Sequence, residues 1–166
     1  MAMEGILIEQ LLLDELRSRG LTFAAAESCT GGLIAKRITD LSGASAVFRG
    51  GVVSYTNDVK RDVLGVPQAL LDEHGAVSAP VAQAMAEGVR RITGADFGVS
   101  VTGVAGPDRD DRGNEVGTVY LAVSTTQETA ATLFHFDGDR SAIRSAAADT
   151  AFGLVLQQVT QTQPNK

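Results

Sequence analysis

Residues 24 to 36 read AAAESCTGGLIAK, a run of alanines that ends in Glu27, Ser28, Cys29 and Thr30 before the pair Gly31-Gly32. Further on, SYTND brings Ser54, Tyr55, Thr56 and Asn57 up to Lys60, and TGVAGP spans Thr102 to Pro107. The chemistry open to such residues is nucleophilic attack on an acyl carbon. A serine hydroxyl is a poor nucleophile until a base takes its proton, and histidine is the usual base. This chain has only His74, in the helix-ending LDEHG, and His135, in the strand pattern LFHFDG. Neither belongs beside Ser28. Lysine can replace histidine where burial or a neighbouring cation lowers its pKa. Lys60 is therefore the candidate base, and Tyr55 could relay or stabilise the proton. Cys29 is the rival nucleophile, because a helix N-terminus favours thiolate. Adjacent side chains point in different directions, so only one of Ser28 and Cys29 can face a site.

Each piece also has an ordinary reading. Ser28 or Thr30 alone fits a helix N-cap. Tyr55 fits a half-buried strand position, Lys60 a solvated helix position, and the TGVAG loop a plain turn, since G-x-x-G by itself is weak. Gly31-Gly32 is harder to place this way. Each glycine weakens a helix by about 1 kcal/mol relative to alanine. Two at a helix start point to close approach by a ligand or another backbone, and free N–H groups there suit an anion. Asp108, Asp110 and Asp111 lack EF-hand spacing and read as a solvated acidic loop. No metal or other cofactor is expected.

Strands and helices must carry these residues to one place. Apolar spacing predicts a helix over 4–19 that stops at Gly20, then a buried strand over 21–26. A second helix follows over 30–42. The β-rich run 46–55 is interrupted by Gly50 and Gly51, and short helices are expected at 57–64 and after Pro67. Ser78-Ala79-Pro80 opens a helix that closes at Gly94. Strands are predicted at 97–101, 116–125 and 131–136, with the last two alternating like an antiparallel pair. A long helix covers 139–160, and the polar tail QTQPNK is expected to fray. Helices and strands alternate early and a hairpin comes late. That order predicts a three-layer α/β/α domain with a mixed, mostly parallel sheet. In such sheets ligands bind beyond the carboxyl ends of the strands. The strands at 21–26, 46–55 and 97–101 deliver Ser28, Tyr55, Lys60 and the TGVAG turn to that end.

The 166 residues suit one domain, taken as 1–166, with 44% hydrophobic and 20% charged residues. A net charge of −6 argues against a sequence-independent nucleic-acid binder, which needs a basic face, but leaves room for a small anion held by one or two arginines. A lone cysteine excludes an internal disulfide and fits a reducing compartment. The start, MAMEGILIEQ, has no basic n-region, and no apolar run approaches the ~20 residues of a membrane span. A cytoplasmic protein is expected.

Several blocks in order across nearly the whole chain resemble the CinA C-terminal domain family. They are AESCTGG at 26–32, GGVVSYTNDVK at 50–60, VSAPVA at 77–82, SVTGVAGP at 100–107, VGTVYLA at 116–122 and FDGDR at 136–140. The resemblance implies an α/β/α fold, a homo-oligomer, most simply a dimer, and nicotinamide mononucleotide deamidase activity. It also implies a metal-free Ser-Tyr-Lys catalytic group, which falls on Ser28, Tyr55 and Lys60. Substrate contacts are then expected from Glu27, Thr30, Gly31, Gly32, Asn57, Thr102, Gly103, Ala105, Gly106 and Arg140. Many relatives carry this domain behind a larger one that resembles molybdopterin-binding proteins. Any pyrophosphatase activity that goes with that larger domain is expected to be absent here.

The expected reaction is attack by Ser28 on the carboxamide carbon, with Lys60 and Tyr55 accepting its proton. Backbone N–H groups near Thr30–Gly32 or near Gly103–Gly106 would hold the oxyanion. Arg140, Arg144 or Arg49 could meet a phosphate. Lys60 should be buried, within reach of Ser28 or Tyr55, and free of a carboxylate partner. The five consecutive charges of DRDDR, 108–112, lie where relatives tend to have Gly and Pro. The loop from Asp108 to Glu115 is expected to be mobile and to border the pocket. Two rival readings remain: a nucleotide-binding or regulatory module without turnover, and an acidic partner-binding protein in DNA uptake or repair.

Overall fold

The structure, a computed structural model, describes residues 5–163; the expectations for residues 1–4 and 164–166, including the start of the first helix and the end of the tail, lie outside the described residues. Five strands form one sheet in the order β2-β1-β3-β4-β5. They are β1 (Phe23–Glu27), β2 (Phe48–Val53), β3 (Phe97–Gly103), β4 (Thr118–Ser124) and β5 (Thr129–His135). β1 pairs in parallel with β2 and with β3, while β3–β4 and β4–β5 are antiparallel. The mixed sheet and the late hairpin follow the sequence reading.

Helices cover both faces. On one face lie α1 (Ile8–Arg19), α2 (Leu33–Thr39) and α6 (Arg140–Gln161). Their core joins Leu12, Leu16, Ile34, Ile38, Phe152 and Val155 to Phe23, Ala25, Val99 and Val101 of the sheet. On the other face α5 (Ala79–Thr93) packs on Ala24 and Ala26 through Val81, Met85 and Val89. The short helices α3 (Asn57–Asp62) and α4 (Gln68–His74) precede it. Successive strand residues face opposite sides, so β1 turns the small Ala24 and Ala26 to α5 and Phe23 and Ala25 to the layer of α1, α2 and α6. With helices on both faces and a strand on either side, β1 is buried along its whole length. Gly98 on β3 has the same logic in extreme form, since a Cβ there would strike the carbonyl of Ala86 on α5.

Differences from the expected boundaries have local causes. α1 ends at Gly20, as its left-handed conformation requires. Its apolar spacing also took in Ile6 and Leu7, but both are exposed and precede the helix. β2 runs through Gly50 and Gly51 without a break, and absorbs one extra residue because Phe23 and Ala24 face Phe48 and Gly50, leaving Arg49 unmatched. β3 extends two residues past Val101, so Thr102 and Gly103 are ladder residues opposite Tyr120 and Val119 rather than loop. A Cβ on Gly103 would crowd Val119 and the Thr118 carbonyl, so this glycine serves the approach of β4.

Candidate active site

β1 sits at the point where the chain reverses direction across the sheet, with β2 on one side and β3 on the other. Crevices form beyond the carboxyl ends of strands at such a point. Here the crevice is a cavity of ≈ 180 Å³ lined by Ser28, Cys29, Tyr55, Asn57, Lys60, Ala76, Val77, Thr102, Gly103, Ala105 and Arg140. All three strand ends named from the sequence thus contribute to one cavity. A larger depression of ≈ 450 Å³ near Leu21, Asp96, Gln127 and Gln158 has no comparable nucleophile and base in its lining.

At the cavity floor the Lys60 ammonium donates to Ser28 Oγ at 3.0 Å and to the Ser54 carbonyl at 2.7 Å. Lys60 is only 1% exposed, and no carboxylate pairs with it among the described residues. Burial disfavours its charged form and lowers its pKa from 10.5 to about 8. About a tenth of the molecules then carry a neutral amine at pH 7, against fewer than one in a thousand for a free lysine. The neutral amine can accept the Ser28 proton across the contact that already exists. Ser28 itself is held by its N–H, which donates to the Val101 carbonyl at 2.9 Å.

Neither Ser28 nor Thr30 caps α2. Its N-cap is Gly32, which has no side chain to offer. The acceptors come from Glu27, whose buried carboxylate takes the N–H groups of Ile34 at 2.8 Å and Ala35 at 3.1 Å. Glu27 is the last residue of β1 and points to the α2 side, which leaves the next residue, Ser28, free to face the cavity. Glu27, expected among the substrate contacts, is outside the cavity lining, and its carboxylate holds the start of α2. Gly31 and Gly32 take φ of 59° and 103°, so the turn from β1 into α2 explains the pair; neither lines the cavity. Thr30 is fully buried outside the lining, and its hydroxyl has no partner among the described residues.

Cys29 borders the cavity but belongs to the α1–α2–α6 core. Burial pushes its thiol up to about 11 despite the nearby Arg144 and Lys60. The thiolate expected from a helix N-terminus is absent at neutral pH, because loss of hydration outweighs the local positive charges.

Tyr55 lies at the mouth, 57% exposed, and its hydroxyl accepts from Arg140 Nη2 at 3.0 Å. It shares the cavity with Ser28 and Lys60, with Arg140 as its hydrogen-bond partner rather than either of them. Among the three candidate arginines, only Arg140 lines the cavity. Arg49 donates to the Thr93 carbonyl, and Arg144 to the carbonyls of Cys29 and Thr30. Asn57, Thr102, Gly103 and Ala105 are in the lining, whereas Gly106 is adjacent, its carbonyl accepting from Arg140 at 2.7 Å.

The charged loop 108–115 contributes no lining residue. Arg112 anchors it to the end of α4 through the carbonyls of Leu71, Asp72 and Glu73, and Asp110 accepts from the backbone of Arg112 and Asn114. The loop expected at the pocket is instead a strap on α4. Three groups at the site were not singled out beforehand: the Ser54 carbonyl, and Ala76 with Val77 on the cavity wall. Backbone acceptors and small apolar wall residues leave no signature in residue type. His74 and His135 are both outside the cavity.

The fold and the cavity, with a serine against an unneutralised lysine at the switch point of a mixed sheet, define an α/β domain with one polar pocket at its strand ends. The chain belongs to the CinA C-terminal domain family, whose pattern matches residues 7–159. It is 55% identical over 143 residues to a CinA-like protein of Geobacter sulfurreducens, covering 86% of this chain and 35% of that protein. A CinA-like protein of Geotalea daltonii is 46% identical over 158 residues, covering 95% of this chain and 38% of its own length. The chain thus spans little more than a third of the curated relatives it matches. Among solved structures, the competence/damage inducible protein CihA from Agrobacterium tumefaciens superposes with a TM-score of 0.87 at 39% identity, over 97% of this chain and 100% of that one. A CinA superfamily protein from Klebsiella pneumoniae gives 0.91 at 30% identity, over 93% and 97%. Among the described residues no helix is long and apolar enough to cross a membrane.

Proposed function

We propose that this domain is an amidohydrolase that converts nicotinamide mononucleotide and water to nicotinic acid mononucleotide and ammonia. The observation that carries the reading is the Lys60–Ser28 contact of 3.0 Å, made by a buried lysine with its pKa lowered to about 8 and no carboxylate to hold its proton. A lysine kept only to support the fold would gain from an acid partner; a base must do without one.

In the first half-reaction neutral Lys60 takes the Ser28 proton as Oγ bonds to the carboxamide carbon. The carbonyl π electrons move to oxygen. The tetrahedral species collapses, the C–N bond breaks, and the Lys60 ammonium returns the proton to the departing nitrogen, which leaves as ammonia. In the second, Lys60 takes a proton from water as the water oxygen attacks the ester carbon, and the proton passes back to Ser28 Oγ as the C–O bond breaks. The backbone N–H of Cys29, which lines the cavity next to Ser28, is the candidate oxyanion donor in the β1–α2 turn; the N–H of Ser28 is engaged with Val101 and that of Gly31 with the Ser28 carbonyl. Arg140, at the mouth, is the candidate partner of the phosphate. The cavity of ≈ 180 Å³ is below the ~300 Å³ lower range of small-molecule sites. It suits the amide-bearing ring, with the phosphate outside at Arg140.

The test is ammonia release from nicotinamide mononucleotide by purified protein, with Ser28→Ala as control. Release that persists in Ser28→Ala, or no release from the wild type, would end the proposal. A homo-oligomer is part of the same reading, and light scattering in solution tests it.

A further inference from the structure

The mouth of the cavity is bridged by one side chain. Arg140, at the start of α6, donates through Nη2 to the Tyr55 hydroxyl at 3.0 Å and through Nη1 to the Gly106 carbonyl at 2.7 Å. Both acceptors are neutral. The neighbouring carboxylate of Asp139 is turned to the Ala142 N–H at 2.9 Å, and no acid forms an ion pair with Arg140 among the described residues. An uncompensated guanidinium therefore faces a pocket whose floor carries a second cation, Lys60, in a chain of net charge −6. Tyr55 is held out at the rim by this hydrogen bond and, among the described residues, by no other.

We propose that the Arg140–Tyr55 hydrogen bond is a latch opened by the anionic group of the substrate, so that the pair selects amides bearing a phosphate. The inference rests on the amidohydrolase reading above and extends it to substrate selection. A phosphate offers two charged oxygens to the guanidinium fork, and charge-assisted bonds of this kind are roughly twice as strong as those to a phenol or a carbonyl. Arg140 exchanges its neutral partners for the anion, and Tyr55 loses its anchor. Its half-exposed ring is then free to turn over the mouth and cover an aromatic amide seated below. A substrate without the anion leaves the latch shut. Selectivity then resides in whether Tyr55 is released as well as in the anion contact itself.

The chain has two tyrosines and no tryptophan. In a Tyr120→Phe background tyrosine emission reports Tyr55 alone, and adding Ser28→Ala prevents turnover during titration. Nicotinamide mononucleotide should give a saturable change in emission, and the corresponding nucleoside, lacking phosphate, should not. Arg140→Gln should abolish the change. In turnover measurements on otherwise unaltered protein, the preference for mononucleotide over nucleoside should fall roughly ten- to hundredfold in Arg140→Gln, the loss expected for one charged contact. Tyr55→Phe, which removes the latch hydroxyl, should raise the rate on the nucleoside. The latch is overturned if saturating mononucleotide leaves Tyr55 emission unchanged, or if the preference survives Arg140→Gln. Absence of ammonia from every amide sinks the amidohydrolase reading instead, and the emission titration still decides the latch.

Discussion

Glu9 on α1 and Lys60 on α3 are 4% and 1% exposed, yet the fold treats the two charges in opposite ways. Glu9 receives a two-pronged guanidinium from Arg37 at 3.0 and 2.9 Å. Arg37 also reaches Asp149 on α6 and lies over the Phe152 ring, 5.2 Å from its centre. Burial raises the Glu9 pKa, but the hydrogen bonds and attraction of Arg37 outweigh it, and the carboxyl is held below its usual value. Lys60 receives a serine hydroxyl and a carbonyl, and burial drives its pKa down. A charge that joins three helices is stabilised as a charge. A charge at the cavity floor is left ready to give up its proton. The difference separates a buried charge that the fold pairs from one that it leaves unpaired, and the proposed function assigns the chemistry to the second.

The largest expected effect breaks the chemistry alone. Ser28→Ala and Lys60→Ala should each lower ammonia release by about a thousandfold or more, with circular dichroism unchanged. Lys60→Arg should be nearly as damaging, because arginine stays protonated. Near-normal turnover in Lys60→Arg would make the charge a stabiliser rather than a base. Cys29→Ala should retain most activity, since its thiol is raised to about 11 and packed in the core.

Next comes stability, where the two buried charges should part. Arg37→Met leaves Glu9 buried without its cation and should cost roughly 2–4 kcal/mol in a denaturant titration. Lys60→Met removes the group that resists burial but orphans the Ser54 carbonyl, so the net change should run from neutral to about 2 kcal/mol stabilising. A Lys60→Met loss as large as that of Arg37→Met would erase the contrast.

The pH dependence sharpens it further. The folded pKa of Lys60 lies below its unfolded value, so the unfolded chain binds the extra proton between about 8 and 10.5. Stability from this group therefore rises with pH across that window, by about 3 kcal/mol in total. Lys60→Met should flatten the rise. With the neutral amine as the base of the proposed reaction, kcat/KM should climb with pH to a plateau above about 8. Glu9 has the same slope at lower pH for the opposite reason, since its charged form is favoured by the fold: its lowered pKa adds stability above the unfolded value of 4.5, lost as pH falls through the folded value. Glu9→Gln should reduce that acid sensitivity.

The smallest effect belongs to the loop 108–115. Replacing it with a short Gly-Ser link should change KM by no more than a few-fold and lower stability by about 1 kcal/mol through loss of the Arg112 clamp on α4. A large change in KM would restore the loop to the site.

The amino-acid sequence by itself determined the layers and the place of the cavity. Apolar spacing and the unbroken apolar run of the first strand require a sheet covered on both faces, and the polar clusters after three strands meet at its carboxyl end. It also selected Ser28 and Lys60, since a serine without a nearby histidine needs another base. What it could not assign was the duty of each neighbouring polar group. Glu27, Ser28, Cys29 and Thr30 are consecutive, yet one caps a helix, one faces the cavity, one fills the core and one is enclosed without a partner. Side-chain direction decides among these roles, and it depends on the exit of β1 into a turn of two left-handed glycines. The hydrogen-bond partner of Tyr55 and the seat of the loop 108–115 were illegible for a related reason. Tyr55 and Arg112 are each bound by a group distant in sequence, Arg140 in one case and the α4 carbonyls in the other. Such pairings exist only once the layers have closed, because local spacing sets the direction of a strand or helix but not which remote donor or acceptor arrives beside it.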